Sequence, residues 1–171
     1  MKRILATVLA LVFTGAGLST AAAQPPNDYL IVPDTRVGPV SLGMTDRDLF
    51  KVGVPIHTGA FSNMTMYLYA DMDVFVDSAS HRVISVTVKY NNQYHTAEGV
   101  RIGSNLQNVE AAMGPPEFLQ TSPVECCDPI AVTYRSRRLR FSFSPPGSSA
   151  ADRPKQTVQI IQIQTPGAQT F

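Results

Sequence analysis

A punctuation that occurs twice constrains this chain more than anything else in it. Residues 38–55 (GPVSLGMTDRDLFKVGVP) and residues 98–116 (EGVRIGSNLQNVEAAMGPP) both read as a short extended run, a glycine turn, one amphipathic helix and a Gly-x-Pro stop. In the first copy Thr45 is placed as helix N-cap, with Asp46 and Asp48 favourable in the first turn. Leu49, Phe50 and Val52 give that helix a buried side, Gly53 reads as a left-handed exit, and Pro55 prevents continuation. In the second copy Ser104 and Asn105 open the helix, Leu106, Val109, Ala112 and Met113 share one side, and Gly114-Pro115-Pro116 close it.

Three strand-like runs follow each helix. After the first come residues 64–69, 73–76 and 82–90, and in the last of these Ile84, Val86, Val88 and Tyr90 alternate with Ser85, Thr87 and Lys89. That is the period of a strand with one buried face. After the second come residues 130–134, 139–143 and 157–164, with Leu139, Phe141 and Phe143 on one side and Arg138, Arg140, Ser142 and Ser144 on the other. Residues 144–154, rich in Ser, Pro and Ala, read as a solvent loop. The expected fold is α+β: an antiparallel sheet with helices packed on one face, built from two tandem helix-plus-three-strand units at residues 24–95 and 96–165, with 166–171 a loose tail. A helix of some ten residues stabilises such a unit by only a few kcal/mol, at about 25 cal/mol per Å² of apolar area buried. The two halves are therefore expected to share one core.

The N-terminus reads as a secretory signal peptide: Lys2 and Arg3, an apolar run over residues 4–13, then small residues ending Ala21-Ala22-Ala23 before Gln24. Thr14, Gly15, Gly17, Ser19 and Thr20 interrupt the run before it reaches the roughly twenty residues a membrane span needs. Cleavage after Ala23 leaves 148 of 171 residues, enough for one ordinary domain, in a periplasmic or secreted setting. Of 14 basic side chains, Lys2 and Arg3 leave with the signal, so 12 face 13 acidic ones. This near neutrality argues against broad nucleic-acid binding.

The pattern Val-x-[Leu/Ile]-Gly-[Met/Ser]-x-x-x-x-[Leu/Val], with its later Gly-x-Pro stop and strands, resembles the repeat of small periplasmic helix-plus-sheet proteins that include the SmpA/OmlA outer-membrane assembly lipoproteins and the beta-lactamase inhibitory proteins. The likeness spans residues 38–90 and 98–164. Gln24 stands where a lipoprotein of that group carries its lipidated cysteine. The resemblance implies a protein-binding or envelope-scaffold role, without catalysis, and assigns no contact residue.

Candidate chemistry is sparse. Cys126 and Cys127 are the only cysteines and are adjacent, between Pro123 and Pro129. They read as a candidate vicinal disulfide that staples a turn or as an unpaired thiol pair, with a redox switch, intermolecular bridging or a metal site as sharper readings. A metal site normally needs three or four ligands, and His57, His81 and His95 are far from the cysteines and unpatterned, so no metal and no cofactor is expected. Met64, Met66 and Met72 suit Cu(I), but Met64 and Met66 share a strand face with Leu68, which suits a core. Asn63-Met64-Thr65 matches a glycosylation acceptor, which a bacterial-type signal makes a chance match. No nucleophile-elbow, zincin, P-loop or dinucleotide fingerprint is present, and no spacing supports a site built from Asp46, Asp48, His57, His81 or His95.

Arg135, Arg137, Arg138 and Arg140 form a basic hairpin tip, read either as solubilising an edge or as facing an acidic partner or polymer. Asp71, Asp73 and Asp77 mark the matching tip of the first half. The expected function is a non-catalytic protein-binding module, an inhibitor or envelope adaptor. Its expected site is Tyr67, Tyr69 and Tyr134, exposed on a concave sheet face, together with the four arginines, and its expected partner is an envelope protein. A structural envelope protein without a discrete partner, and a thiol-active protein centred on Cys126 and Cys127, are the alternatives.

Overall fold

The computed structural model describes residues 28–120, 131–143 and 156–168. Strands dominate them. A small sheet is made by β1 (Leu30–Val32), β2 (Arg36–Val37), β3 (Val40–Ser41) and β8 (His95–Thr96), in the order β3-β2-β1-β8. A large sheet is made by β4 (His57–Phe61), β5 (Met64–Leu68), β6 (Met72–Asp77), β7 (Arg82–Lys89), β9 (Phe118–Gln120), β10 (Ala131–Tyr134), β11 (Leu139–Phe143) and β12 (Val158–Gln164). Its order is β4-β5-β6-β7-β12-β11-β10-β9, every neighbouring pair antiparallel.

The expectation of helix-plus-three-strand units with helices packed on one face is corrected by this architecture. The two helices, α1 (Asp46–Val52) and α2 (Leu106–Met113), have seven and eight residues, and between them they bury only Leu49, Val109 and Met113 fully. Two turns of helix cannot cover an eight-stranded sheet. The small sheet supplies Ile31, Val37 and Val40 to the same core, beside Val74, Val86, Phe141 and Ile161 of the large sheet. The boundary expected between residues 95 and 96 falls inside β8, which pairs in parallel with β1 (Leu30↔His95, Ile31↔Thr96).

The repeated punctuation has a repeated structural use. Gly43 N–H donates to Val83 O and Val83 N–H to Met44 O, both at 2.8 Å; Gly103 N–H donates to Val158 O and Val158 N–H to Ser104 O, again at 2.8 Å. Each glycine turn is thus clipped to the beginning of β7 or β12, the two strands that meet at the centre of the large sheet. Both turns need a left-handed residue, φ +79° at Gly43 and +92° at Gly103, which glycine adopts without a Cβ penalty. Thr45 and Asn105 then cap the helices by accepting from the N–H groups of Asp48 (3.2 Å) and Asn108 (2.8 Å). Gly53 departs from its expected left-handed exit: its φ of 171° is extended backbone.

Of the expected tail at residues 166–171, residues 166–168 are described, and they follow the end of the second unit at Thr165. Thr165 N–H donates to Ile84 O at 2.8 Å, and Pro166, Gly167 and Ala168 lie beside Met64 and Ile84. Residues 1–27, which contain the signal-peptide reading, and Cys126 and Cys127 lie outside the described residues. No helix among the described residues is long and apolar enough to cross a membrane.

Candidate functional site

Strand register decides which side chains share a face, because directly opposed residues project the same way and parity alternates along each strand. One row of opposed residues runs Tyr67, Val74, Val86, Ile163, Leu139, Tyr134. These six are buried, the four aliphatic residues completely. The neighbouring row crosses all eight strands: His57, Leu68, Asp73, Thr87, Gln162, Arg140, Thr133, Phe118. The same sheet therefore has an apolar face turned to the core and a polar face turned away from it.

The expected aromatic contact site is corrected by this parity. Tyr67 and Tyr134 end the apolar row and are 8% and 3% exposed. Tyr67 meets Phe50 edge-on at 5.7 Å and Tyr134 meets Phe141 edge-on at 6.1 Å. The Tyr134 hydroxyl donates to Gly114 O at 2.8 Å, and burial, with the Glu110 charge adding to it, pushes its pKa up to about 12. Tyr69 is half-buried against the core; its hydroxyl is enclosed, and burial raises its pKa. None of the three presents a ring to a partner. The expected core face of β5 is inverted as well: Met66 and Leu68 oppose Phe75 and Asp73 on the polar face.

At the centre of the polar face lies a hollow of about 350 Å³. Short buried side chains, Ser85, Thr87 and Ser142, line it together with Phe75, Ile160 and Gln162 and the charged Asp73, Lys89 and Arg140. Ser85 Oγ donates to Ile163 O at 3.0 Å and accepts from Gln162 Nε2 at 3.0 Å, which ties β7 to β12 at side-chain level. Asp73, 5% exposed, is ion-paired to Lys89 across β6 and β7. A β-bulge beside Phe75 and Val76 turns Ile84 out of the core alternation and into this hollow. Sequence alternation placed Ile84 with Val86 and Val88, and the bulge is why that parity fails.

The arginine tip resolves into separate roles. Arg135–Arg137 form a single 3-10 turn between β10 and β11. Arg137 pairs with Glu98 at 2.8 Å and lies 3.8 Å from Met113 Sδ, which joins the tip to the region of α2. Arg138 pairs through Nε with Asp34 at 3.1 Å, which joins it to the β1–β2 turn. Arg135 lies over the Phe118 ring, 5.4 Å from its centroid, and Arg140 donates to Gln120 Oε1 at 3.1 Å. Ser136 donates through its hydroxyl and N–H to Glu117, and these two bonds hold the Glu117 carboxyl below the usual carboxylate range. A second hollow, of about 400 Å³, opens beside the tip, with Arg135, Arg138 and Arg140 on its walls.

The acidic residues of the matching tip are engaged too: Asp71 accepts from Asn91 Nδ2 at 2.9 Å, and Asp77 accepts from the Ser80 N–H and hydroxyl at 2.8 and 2.6 Å. His81 meets Asp46 at 2.9 Å on the exposed side of α1, away from His57 and His95. Among the described residues no three His, Cys, Asp or Glu side chains gather to hold a metal.

No family model matches this chain, and no curated protein is similar enough to match it. Among solved structures it is similar to a DUF4309 family protein, YjgB, from Bacillus subtilis. The sequences are 16% identical, the TM-score is 0.43, and the match covers 71% of this chain and 78% of that one.

Proposed function

We propose that this chain is an exported, non-catalytic protein-binding module whose contact surface is the polar face of the large sheet. One observation carries the reading: in the middle of that face Ser85, Thr87 and Ser142 are short and buried, so that a recess opens between the longer Lys89, Arg140 and Gln162. Short side chains on central, doubly paired strands make a recess on a rigid support, and rigid elements hold a recognition site more precisely than loops do. Phe75, Ile84 and Ile160 add apolar area around hydrogen-bonding groups, the mixture found in protein interfaces. Polar groups of the recess bond to each other, Lys89 to Asp73 and Gln162 to Ser85, an arrangement suited to presenting a surface. The signal-peptide reading of residues 1–23 and the sequence resemblance to the small periplasmic proteins that include the SmpA/OmlA lipoproteins and the beta-lactamase inhibitory proteins support the same role and an envelope or extracellular partner.

Site-specific photo-crosslinking tests this. A benzophenone amino acid replaces Phe75 on the polar face or, separately, Phe50 on α1, and the full chain is irradiated in its native cells. The reading predicts one discrete adduct from position 75 and none shared with position 50. No adduct from position 75, or the same adducts from both, overturns it.

A further inference from the structure

The geometry points to the hollow beside the arginine tip as a receptor for the carboxylate side chains of an acidic protein segment. The proposal rests on reading the polar face as a binding surface, since this hollow opens on the same face at the β9–β10–β11 end. Three guanidiniums, of Arg135, Arg138 and Arg140, line it, and no described lining residue carries a carboxylate. The fourth arginine of the tip, Arg137, is not among the lining residues and is held by Glu98. Asp34 meets the Arg138 charge and Glu117 lies near Arg135, so the hollow offers the guanidiniums of Arg135 and Arg140 on one wall, a planar group suited to bidentate carboxylate recognition.

The arginines are also positioned rather than splayed. Arg135 is laid on the Phe118 ring, Arg140 is bonded to Gln120 on β9, and Arg138 is ion-paired through Nε with Asp34. Arg138 has φ +48°, the left-handed region in which a Cβ is unfavourable and glycine or asparagine is usual. An arginine stands where the backbone favours glycine.

Size and lining choose the occupant. At about 400 Å³ the hollow is far larger than a single small oxyanion needs, given that a water takes up about 30 Å³ of liquid volume. Phe118, 45% exposed, offers an apolar surface between the charges, with Thr133 and Gln164 as hydrogen-bonding groups. A segment that alternates acidic and apolar side chains matches this lining, with carboxylates on the arginines and an apolar residue on Phe118.

The test is fluorescence anisotropy of the full chain with a labelled peptide of alternating Glu and Leu, against the same peptide with Gln for Glu, and with inorganic phosphate as competitor. The expected result is saturable binding of the Glu peptide, weakened about tenfold or more by R135Q/R140Q, a loss that one charged pair can supply. R135Q alone, an exposed tip substitution that leaves Arg140 bonded to Gln120, is expected to weaken it several-fold and guards against misfolding of the double variant. R47Q/R101Q, which removes the same charge from exposed arginines elsewhere, is expected to leave binding within about twofold. Absence of binding, equal loss in R47Q/R101Q, equal affinity for the Gln peptide, or displacement by phosphate as effective as by unlabelled Glu peptide each overturns the proposal. Because the peptide assay needs no native partner, its failure leaves the crosslinking result from position 75 standing, and the two readings fail separately.

Discussion

Val86 and Thr87 are consecutive on β7, yet they belong to different parts of the molecule. Val86 opposes Val74 and Ile163 in a fully buried apolar row, and Thr87 opposes Asp73 and Gln162 on the face turned away from the core. The same alternation on β11 separates Phe141 from Ser142. The apolar face carries the stability, and the polar face is the proposed recognition surface. Because both are written on the same strands with a period of two, a one-residue slip would exchange them. This is why a central ion pair and a hydroxyl-to-carbonyl bond that ties β7 to β12 matter on the polar face: they add register-specific contacts where hydrophobic burial supplies none.

Substitutions that treat the two faces alike sharpen the contrast. Phe141→Ala removes a completely buried ring and is expected to cost about 3–5 kcal/mol, read as a lower urea midpoint at unchanged m-value. Next in size is the Asp73–Lys89 pair. Lys89→Met leaves the buried Asp73 carboxylate without its cation, an expected cost of about 1–3 kcal/mol, while Asp73→Asn, which leaves the better-exposed Lys89, costs less. Equal losses would break the assignment of Asp73 as the recessed partner.

A pH effect belongs to the apolar face. The Tyr134 hydroxyl has a folded pKa of about 12, above its ordinary value of 10, so between those values the folded chain holds a proton that the unfolded chain releases. Stability is full below pH 10 and falls as pH rises toward 12. Tyr134→Phe is expected to flatten that alkaline slope by about 1 kcal/mol per pH unit, seen in urea unfolding at pH 9, 10 and 11. The smallest effect is expected from Ser142→Ala, the neighbour of Phe141 on the other face, which should change stability by about 0.5 kcal/mol or less.

Much of the fold was legible because strand alternation is a strong signal. The six strands expected at residues 64–69, 73–76, 82–90, 130–134, 139–143 and 157–164 correspond to β5, β6, β7, β10, β11 and β12. Thr45 is a cap as read, and Asn105, read as part of the opening turn, caps α2. The missed strands lack that signal. β1, β2, β3 and β8 have two or three residues, too few to show a period, and β4 and β9 are sheet edges exposed along all or nearly all of their length, so they show no alternation.

The helices were over-weighted for the opposite reason: capping residues and glycine stops are conspicuous, but they mark where a helix begins and ends and say nothing of how much sheet it covers. In β5 the run Met64-Thr65-Met66-Tyr67-Leu68 is apolar at both parities, and only its pairing with Val74 and Val76 decides that Tyr67 faces inward. The candidate tyrosines were lost with that parity. The arginine tip was found because charge clustering survives without knowledge of register, whereas Asp34 and Glu98, which come from distant turns, had no local signal.

The measurement closest to the central claim is the pattern of side-chain nuclear Overhauser contacts across β7 and β12 in the full chain. The account predicts contacts of the Val86 methyls with Ile163 and of the Thr87 methyl with Gln162. Contacts of Val86 with Gln162 instead would mean the strands pair one residue out of step, and would contradict both the buried core and the polar face described for this protein.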